Sequence, residues 1–496
     1  MSNLPHELYT AEQTRELERI AMEQHNVSAA KLMSRAGTAA LDTIRHYWPQ
    51  AERILVVCGT GNNGGDGFEL AKQALAKDYR VNVFQVGDDS EMSAETIAAR
   101  ESIIATGAEV QRFEDKLPTT DVIVDALLGT GLSREVSGEY ALAIEAINYH
   151  TKRIPVLALD IPSGIHADTG SALGSAVRAT LTLSFLGLNK GLFTGEGPNY
   201  SGTVCFDSLK VPSAIYKAFT PIARRVSLEH DAAGLAPRER TGHKGLYGHL
   251  LIIGGDHGMP GAARVAAEAG ARVGAGLTSI ATRSVHGPTL NIARPELMCY
   301  GVEQASDLDP LLRPANALTV GPGLGQGEWG ISLFQKAIET NLPMVVDADA
   351  LNLLSKNPQH HDNWVLTPHP GEAARLLNCS SEDIQADRFT AIYELQKRYG
   401  GVVVLKGSGT LITNGEAPTR LSTWGNPGMG SGGMGDVLAG VIGGLLAQHF
   451  SLMDAACVGV TLHGMAADKA AELDGERGTL AMDLMPHLRR LANLIY

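Results

Sequence analysis

Cysteine, positive charge and long apolar runs are all scarce in this sequence. Its five cysteines lie far apart and never occur as C-x-x-C, a pattern that indicates neither a disulfide framework nor a zinc site. Lysine and arginine total 41 against 54 acidic residues, and this formal net charge of −13 disfavours nucleic acid as the main partner. No apolar run reaches the roughly 18–20 residues of a membrane span, and the first residues lack the pattern of a secretory leader. We therefore expect a soluble cytoplasmic protein that binds small molecules, without a membrane or nucleic-acid partner.

Glycine, in contrast, is abundant, with 56 residues among the 496. Short apolar strands alternate with helical stretches from residues 54–58 to residues 156–159, and the alternation resumes at Gly248 after a region rich in turn residues. Such alternation predicts parallel sheets with helices on both faces. The interruption near residues 221–230 predicts a boundary between two domains, 1–222 and 223–496.

The first glycine-rich segment, Gly59-Thr-Gly-Asn-Asn-Gly-Gly-Asp-Gly67, follows the strand at 54–58 and precedes a helix predicted over 68–77. In this context G-x-G-x-x-G is typical of a loop that binds a pyrophosphate on backbone amides. Asp66 would place a carboxylate beside that pyrophosphate, which argues against an ordinary nicotinamide dehydrogenase. Asp88 and Asp89, after the next strand, would nevertheless suit a ribose, and a tight turn without a ligand is the remaining alternative.

Polar side chains also follow two later strands. Asp125 precedes a glycine turn in V-D-A-L-L-G-T-G, and Asp160 and Ser163 lie in D-I-P-S-G. Because ligands bind beyond the carboxyl ends of parallel strands, we expect these residues to converge with Asn63. An oxygen-rich set without cysteine or histidine suits a hard cation, potassium or magnesium. Each aspartate taken singly is equally consistent with a capping or turn role.

Together, NNGGDG, VDALLGTG and DIPSG resemble the epimerase domain of the NAD(P)H-hydrate repair enzymes, over residues 9–217. That family interconverts the R and S forms of nicotinamide cofactors hydrated on the ring. The resemblance implies that Asp160 acts on the altered ring by acid–base chemistry and that a potassium ion binds at Asn63, Asp125 and Ser163. It also implies contacts to the hydrate from Asn62, Asn63, Gly64, Gly65, Asp66, Gly129, Thr130, Gly131, Leu132, Ser133, Arg134 and Glu135.

The second half has no G-x-x-x-x-G-K-[ST] loop, so another segment must hold phosphates. The candidate is Gly425-Asn-Pro-Gly-Met-Gly-Ser-Gly-Gly-Met-Gly-Asp436, which leads into an apolar helix. Free amides and the positive end of the helix dipole bind anions at such a junction. Asp436 is then expected in the first helical turn, either as a base or as a simple capping acid.

Several motifs of this half resemble the NAD(P)H-hydrate dehydratase, a branch of the ribokinase-like kinases, over residues 242–446. They are H-K-G-x-x-G at 243–248, G-P-G-L-G at 321–325, D-A-D-A-L-N at 347–352, T-P-H-P-G-E at 367–372, K-G-S-G-T at 406–410 and the run ending at Asp436. The resemblance implies dehydration of the S hydrate at the expense of ADP, giving AMP and phosphate and restoring NADH or NADPH. Magnesium accompanies phosphoryl transfer, and Asp436 would take the proton of the attacking hydroxyl.

The resemblance also assigns binding residues in the second half. Those expected to contact the hydrate are Gly323, His369, Pro370, Gly371, Glu372, Ala373, Ala374 and Arg375. Those expected to hold ADP are Lys406, Gly407, Ser408, Gly409, Thr410, Gly425, Asn426, Pro427, Gly428, Met429, Gly430, Ser431, Gly432, Gly433 and Met434. For Asp347 and Asp349 the sequence does not decide between a role that supports the site and a purely structural one. His463 is expected to be a surface or core residue.

The expected fold is α/β, with an N-terminal Rossmann-like three-layer αβα domain followed by a ribokinase-like α/β domain. The expected protein is a bifunctional repair enzyme with NADHX, NADPHX and ADP as substrates, K⁺ and Mg²⁺ as ions, and a homo-oligomeric state like that of many family members. Two alternatives remain open on the residues alone. One is a dehydrogenase fused to a sugar or vitamin kinase, and the other is an N-terminal half that has become an inactive scaffold.

Overall fold

The computed structural model describes residues 4–114, 116–231, 233–292, 294–416 and 418–495. The chain forms two compact units that divide at Arg224. The first unit contains helices α1 (Ala11–His25), α2 (Ala29–Tyr47), α3 (Asn62–Leu75), α4 (Ala94–Ile104), α5 (Gly138–His150) and α6 (Gly197–Ser201). Its strands are β1 (Glu7–Leu8), β2 (Arg53–Cys58), β3 (Arg80–Gln85), β4 (Val110–Arg112), β5 (Val122–Ala126), β6 (Val156–Leu159), β7 (Leu181–Phe185), β8 (Thr203–Asp207) and, at the boundary, β9 (Ala223–Arg225).

The main sheet of the first unit has the order β4-β3-β2-β5-β6-β7-β8, and all of its strands are parallel. Alternate residues of β2 face opposite sides: Ile54 and Val56 pack with α2 and α3, whereas Leu55 and Val57 pack with α5. Helices therefore cover both faces, as the sequence predicts. The chain fills one side of the sheet from β2 to β4 and then crosses to β5, which makes the crevice between β2 and β5 a topological switch point, where ligands of such sheets bind.

The glycine-rich segment after β2 is mostly helical, so the predicted loop through residue 67 is wrong. Helix α3 begins at Asn62, and the Gly64 N–H already donates to the carbonyl of Gly61 at 2.9 Å. The glycines serve close packing at the start of this helix. A Cβ atom on Gly64 would lie 2.0 Å from the carbonyl oxygen of Gly59, and one on Gly67 would lie 2.6 Å from the Ala126 side chain.

The second unit is built around strands β10 (His249–Ile253), β11 (Leu277–Thr282), β12 (Met298–Gly301), β13 (Ala317–Val320), β14 (Met344–Val346), β15 (Trp364–Leu366), β16 (Val402–Leu405), β17 (Thr410–Thr413) and β18 (Thr419–Ser422). Its helices are α7 (Leu228–Asp231), α8 (Pro260–Arg272), α9 (Gly287–Leu290), α10 (Asp309–Leu312), α11 (Glu328–Ile338), α12 (Ala348–Lys356), α13 (Pro370–Leu377), α14 (Ser381–Ala386), α15 (Arg388–Tyr399), α16 (Met434–Ala447), α17 (Leu452–Asp474) and α18 (Leu484–Leu491).

These strands follow the order β18-β17-β16-β15-β14-β13-β10-β11-β12, with β10 to β16 parallel and β17 and β18 antiparallel. Leu250 and Ile252 of β10 lie in one apolar core with α8, α16 and α17, while Leu251 and Ile253 are buried toward the other face. The switch point lies between β10 and β13. None of the helices in the described ranges combines the length and hydropathy that crossing a membrane requires.

Candidate functional site

One short loop, the residues that follow β5, connects three of the four polar residues predicted to converge in the first unit. Asp125 is buried at the end of β5 and accepts hydrogen bonds from the Leu127 N–H (3.2 Å), the Ser163 N–H (2.8 Å) and the Ser163 Oγ (2.6 Å). The Leu128 N–H donates to Ser163 Oγ at 2.8 Å, and the Thr130 N–H donates to Asp160 Oδ2 at 3.0 Å. The loop thus gathers the ends of β5 and β6 beside the switch point.

Asn63 is the fourth predicted residue, and its side-chain amide is buried without a hydrogen-bond partner among the described residues. It flanks the same loop. A Cβ atom on Gly129 would lie 3.0 Å from Asp160 Oδ2 and 3.3 Å from the Cβ of Asn63. Buried amides are normally hydrogen-bonded, so an orphaned one beside carboxylates points to a missing ligand.

Burial raises the pKa of the carboxylic acids around this loop. Both Asp125 and Asp160 have a pKa of about 6 because burial penalises the charged form, although hydrogen bonds from Ser163 and Thr130 partly oppose the shift. Burial also raises the pKa of Asp66 well above its usual value, and the nearby charges of Asp160 and Glu18 add to the effect. Asp160 adopts a left-handed backbone with φ of 65°, an uncommon conformation that is found preferentially at functional sites.

Glu18 is a site residue that the sequence analysis missed. It lies on α1, is partly buried, and has a raised pKa, first through burial and then through the charge of Asp160. Its position between the buried Leu17 and Ile20 gives no sign that the helix approaches the switch point. Only the packing of α1 in three dimensions brings this carboxyl toward Asp160.

The remaining predicted residues of the first unit border this centre. Asn62 Oδ1 accepts a hydrogen bond from Ser93 Oγ at 2.9 Å, while Gly64 and Gly65 are buried in the first turns of α3. Gly131, Ser133, Arg134 and Glu135 are exposed, and Leu132 is partly buried.

The two aspartates that would suit a ribose have other partners. Asp89 forms ion pairs with Arg100 at 3.2 Å and Arg112 at 2.7 Å and also accepts from Gln85. Asp88 accepts hydrogen bonds from the N–H and Oγ of Ser90. These contacts give both aspartates partners within the protein itself.

A partly buried lysine is the centre of the second site. Lys406, which follows β16, places its Nζ 2.8 Å from Asp347 Oδ1 and 3.7 Å from Glu372 Oε2. Burial alone would lower the pKa of Lys406, but the carboxylates of Asp347 and Glu372 raise it above its usual value, so the ammonium is charged. A Cβ atom on Gly435 would lie 3.3 Å from this Nζ, which puts the lysine directly beside the start of α16.

Asp436 lies in the first turn of α16, as predicted, after a left-handed Gly433 with φ of 89°. The pKa of Asp436 is raised to about 7, first by burial and then by the charge of Asp347, while the charge of Lys406 acts in the opposite direction. A carboxyl with a pKa near 7 exchanges protons readily at neutral pH, which is the property that a general base requires.

The glycine-rich loop before α16 is anchored from α17. Asp468 accepts hydrogen bonds from the Gly425 N–H (3.0 Å) and from Asn426 Nδ2 (2.8 Å). At the other end of the loop, Ser431 Oγ donates to the carbonyl of Thr479 at 2.8 Å. The buried His463, also on α17, has its pKa lowered to about 4 by burial first and by the Lys406 charge second, so its ring is neutral.

Residues 406–410 are held by a buried side chain that the sequence analysis missed. Arg388 donates to the carbonyls of Leu405 (3.2 Å), Lys406 (3.2 Å) and Gly409 (3.4 Å) and is 1% exposed. Thr410 is already the first residue of β17. An arginine at the start of an ordinary amphipathic helix carries no signal of this role.

The predicted hydrate-contacting residues follow two strands of the sheet, β15 and β13, which lie on either side of β14. His369 caps α13, with its Nδ1 accepting from the Gly371 N–H at 3.0 Å, and the buried Glu372 accepts from the His369 N–H at 2.8 Å. Arg375 Nε donates to Asn352 Oδ1 at 2.8 Å. Gly323 follows β13 and accepts the Asp256 N–H at 2.6 Å, across the switch point.

The two aspartates left open have different contacts. Asp347 is buried and accepts from Thr367 Oγ1 at 2.8 Å as well as from Lys406, so it orients the lysine. Asp349 accepts the Gly325 N–H at 2.9 Å, which fixes the turn after β13. Among the described residues, no group of three or more His, Cys, Asp and Glu side chains is arranged to hold a metal ion.

Comparisons with known proteins cover both units. The family model for NAD(P)H-hydrate dehydratase matches residues 250–490, and the model for the YjeF-related protein N-terminus matches residues 29–191. A bifunctional NAD(P)H-hydrate repair enzyme of Coxiella burnetii is 49% identical over 98% of this chain and 99% of its own length.

Solved structures resemble the second unit. A ribokinase-like superfamily protein from Enterococcus faecalis is 26% identical, with a TM-score of 0.51, over 56% of this chain and 98% of its own. An ADP/ATP-dependent NAD(P)H-hydrate dehydratase from Bacillus subtilis, co-crystallised with ATP and Mg²⁺, is 28% identical over 54% of this chain and 98% of its own, with a TM-score of 0.49.

These findings confirm the predicted α/β fold with its ribokinase-like second half. The full-length relationship also confirms the predicted pairing of the two activities and excludes the dehydrogenase–kinase fusion. This chain belongs to the family of bifunctional NAD(P)H-hydrate repair enzymes.

Proposed function

We propose that the second unit dehydrates the S form of NADHX or NADPHX with ADP as the phosphoryl donor, giving AMP and phosphate. The observation that carries this proposal is the position of Asp436 and Lys406 at the start of α16, directly after the glycine-rich loop. The loop amides and the dipole of α16 suit the phosphates of ADP, and Lys406 suits the phosphate that is transferred.

The reaction then follows from these positions. Asp436 accepts the proton of the hydrate hydroxyl, whose oxygen attacks the β-phosphorus of ADP, and the bond from that phosphorus to AMP breaks. The bond between the ring carbon and the phosphate oxygen then breaks, and phosphate leaves. The adjacent ring carbon releases a proton, which restores the ring double bond. Gly323 and the segment 369–375 would hold the hydrate ring in this geometry.

Magnesium fits this site as an ion held by the nucleotide. The described residues offer no cage of carboxylates for it, and Mg²⁺ characteristically binds through substrate phosphates with few protein ligands. When bound, it would neutralise charge that develops on the phosphates. Lys406, held by Asp347, supplies the fixed positive charge of the protein itself.

The dehydratase proposal is tested with the variant Asp436→Asn. We expect its rate of ADP-dependent recovery of absorbance at 340 nm to fall by about 10²–10⁴-fold, because the general base is lost. Its affinity for ADP, measured by calorimetry, should stay close to that of the wild type, because loop amides bind the phosphates. The variant Asp474→Asn, at the exposed end of α17, is the control. Equal loss of rate and ADP affinity in Asp436→Asn would show that Asp436 is only structural.

For the first unit we propose that Asp160 catalyses exchange between the R and S hydrates and that a potassium ion lies at Asn63, Asp125 and Ser163. The orphaned amide of Asn63 supports the ion, because its Oδ1 is an oxygen ligand that lacks a partner. Asp125 and the carbonyl groups of the adjoining loop are ligands of the type that hard cations prefer. The bound ion would fix the hydrate-binding loop and offset the charge of Asp125. The raised pKa of Asp160 supports its role as an acid or base near neutral pH.

The potassium site is tested by thermal unfolding, which does not depend on activity. Replacing sodium by potassium at about 100 times the dissociation constant should stabilise the first unit by about 2.7 kcal/mol, seen as a higher Tm. The variant Asn63→Leu should lose this response, while Asn378→Leu, an exposed asparagine of the second unit, should keep it. The same potassium response in Asn63→Leu would contradict the assignment.

We also propose that the enzyme works in the cytoplasm. All five cysteines are free, which agrees with a reducing compartment.

A further inference from the structure

A cavity of about 640 Å³ opens in the second unit, far from the residues assigned to dehydration. It is lined by residues just before β10 and β11 and just after α8 and α16, such as Tyr247, Gly274 and Gln448. The proposed catalytic groups follow the other ends of the parallel strands, which run for roughly 13–17 Å. The volume falls within the roughly 300–1,000 Å³ of small-molecule sites.

The charge of this cavity is opposite to that of the chain. Arg238, Arg272 and Arg489 line it, and none of its lining residues in the described part of the chain is acidic, although the chain carries a formal net charge of −13. Arg272 and Arg489 lie in the last turns of α8 and α18, where positive charge also complements the helix dipole, and Arg272 pairs with Glu268 at 3.5 Å. Arg238 belongs to no helix, so its placement needs another explanation.

Arg238 is held rigidly although it lies on an exposed segment. Its guanidinium stacks on the Tyr247 ring at 3.7 Å, and its Nη2 donates to the Gly274 carbonyl and to Gln448 Oε1, the latter at 2.8 Å. Gln448 is itself fixed, because its Nε2 donates to the carbonyls of Val273 (3.1 Å) and Gly444 (2.8 Å). A Cβ atom on Gly274 would lie 2.4 Å from Nη2, so a residue with a side chain at this position would clash with the guanidinium.

A fixed guanidinium loses little entropy when it binds, and its planar fork matches the oxygens of a phosphate. Phe450 and Leu494 add an apolar wall that suits the planar body of a base. The H-K-G-x-x-G motif, which has no assigned part in the chemistry, supplies Leu246 and Tyr247 to this cavity. We propose that the cavity binds a nucleoside phosphate at a second, non-catalytic site, with Arg238 and Arg489 on the phosphate group.

The test is modification of arginines by phenylglyoxal, resolved by peptide mass spectrometry on the full-length protein. AMP at about ten times its Kd should slow modification of Arg489 about tenfold, because only about a tenth of the sites stay free. Arg490, the adjacent residue, does not line the cavity and is the internal control. Adenosine, which has no phosphate, should not protect Arg489.

The variant Arg238→Gln separates this site from the catalytic one. It should abolish the protection of Arg489 while inhibition of the dehydration reaction by AMP is unchanged. Three results would overturn the proposal: no protection of Arg489 by AMP in the wild type, equal protection by adenosine, or undiminished protection in Arg238→Gln. The protection of Arg489 in the wild type tests the proposal even if the variant fails to fold.

Discussion

Burial sets the proton affinity of the residues assigned to chemistry in both units. Asp160 reaches a pKa of about 6 and Asp436 a pKa of about 7, and in each case burial is the largest cause. The neighbours then differ: Asp160 receives hydrogen bonds from Thr130, whereas Asp436 lies among Asp347, Lys406 and Glu372, whose charges partly cancel. A single mechanism, desolvation, therefore prepares two carboxyls for different reactions.

The raised pKa of Asp436 predicts how dehydration depends on pH. The base acts in its deprotonated form, so kcat/KM should be level above pH 7 and fall about tenfold for each pH unit below it. The measurement is initial rate at 340 nm against pH, with hydrate and ADP both below saturation. The residual rate of Asp436→Asn should show no such step. A wild-type profile that falls only below pH 5 would mean that another group limits the reaction.

Sequence predicts site residues when a motif places them at a strand end or helix start. Asp125, Asp160 and Ser163 follow their strands, and the structure brings them to one loop together with Asn63. Glu18 and Asp468 escape prediction because each lies within a helix far along the chain from the loop that it supports or approaches. Their roles exist only through tertiary packing, which a single sequence does not display.

At the scale of elements, the second site depends on two successive helices. In the proposed ADP site, the N-terminus of helix α16 would face the phosphates, and α17 holds the preceding loop through Asp468. Because glycine loses more conformational freedom on folding than other residues, a loop this rich in glycine needs such anchors to stay ordered. The glycine-rich loop is therefore ordered only when α16 and α17 are both in place.

The variant Asp468→Asn should weaken ADP binding about tenfold. It removes the charge of an acceptor that fixes Gly425 and Asn426, and hydrogen bonds to charged groups contribute about 1.5–3 kcal/mol. At saturating ADP, kcat should change much less, because Asp436 and Lys406 keep their contacts. Titration of ADP with the variant and with Asp474→Asn, on the same helix, checks this. An unchanged affinity would show that the loop is ordered without its anchor.

At the scale of the whole molecule, each half places its site at the switch point of a parallel sheet. The alternation of strands and helices predicts both sheets and both faces of helices, and the structure agrees. It does not predict the antiparallel pair β17 and β18, because each strand has only four residues and no helix separates the two. It also misreads the start of α3, because glycine there serves close packing and the pattern resembles a loop.

The pairing of two activities predicts a characteristic result with a mixture of R and S hydrates. With ADP, the wild type should convert both the R and the S hydrate of the mixture. The enzymatic conversion by Asp160→Asn should stop once the S fraction is used up. On pure S hydrate the variant should match the wild type, because Asp160 lies in the other unit. Recovery of absorbance at 340 nm measures both. Full conversion of the mixture by Asp160→Asn at the wild-type rate would show that Asp160 is not needed and would favour an inactive scaffold.

The start of α3 has a further consequence for how the first unit behaves without its ligands. Three glycines fall within the first six residues of this helix, and the intrinsic helix propensity of glycine is about 0.8–1 kcal/mol less favourable than that of alanine. Its first turn is thus the least stable part of the helix, and it carries Asn63. Local opening of this turn should be frequent in the empty enzyme and visible as fast amide exchange. A ligand bound at Asn63 would suppress this opening. The rate of amide exchange in one helical turn would therefore show whether the site holds a ligand.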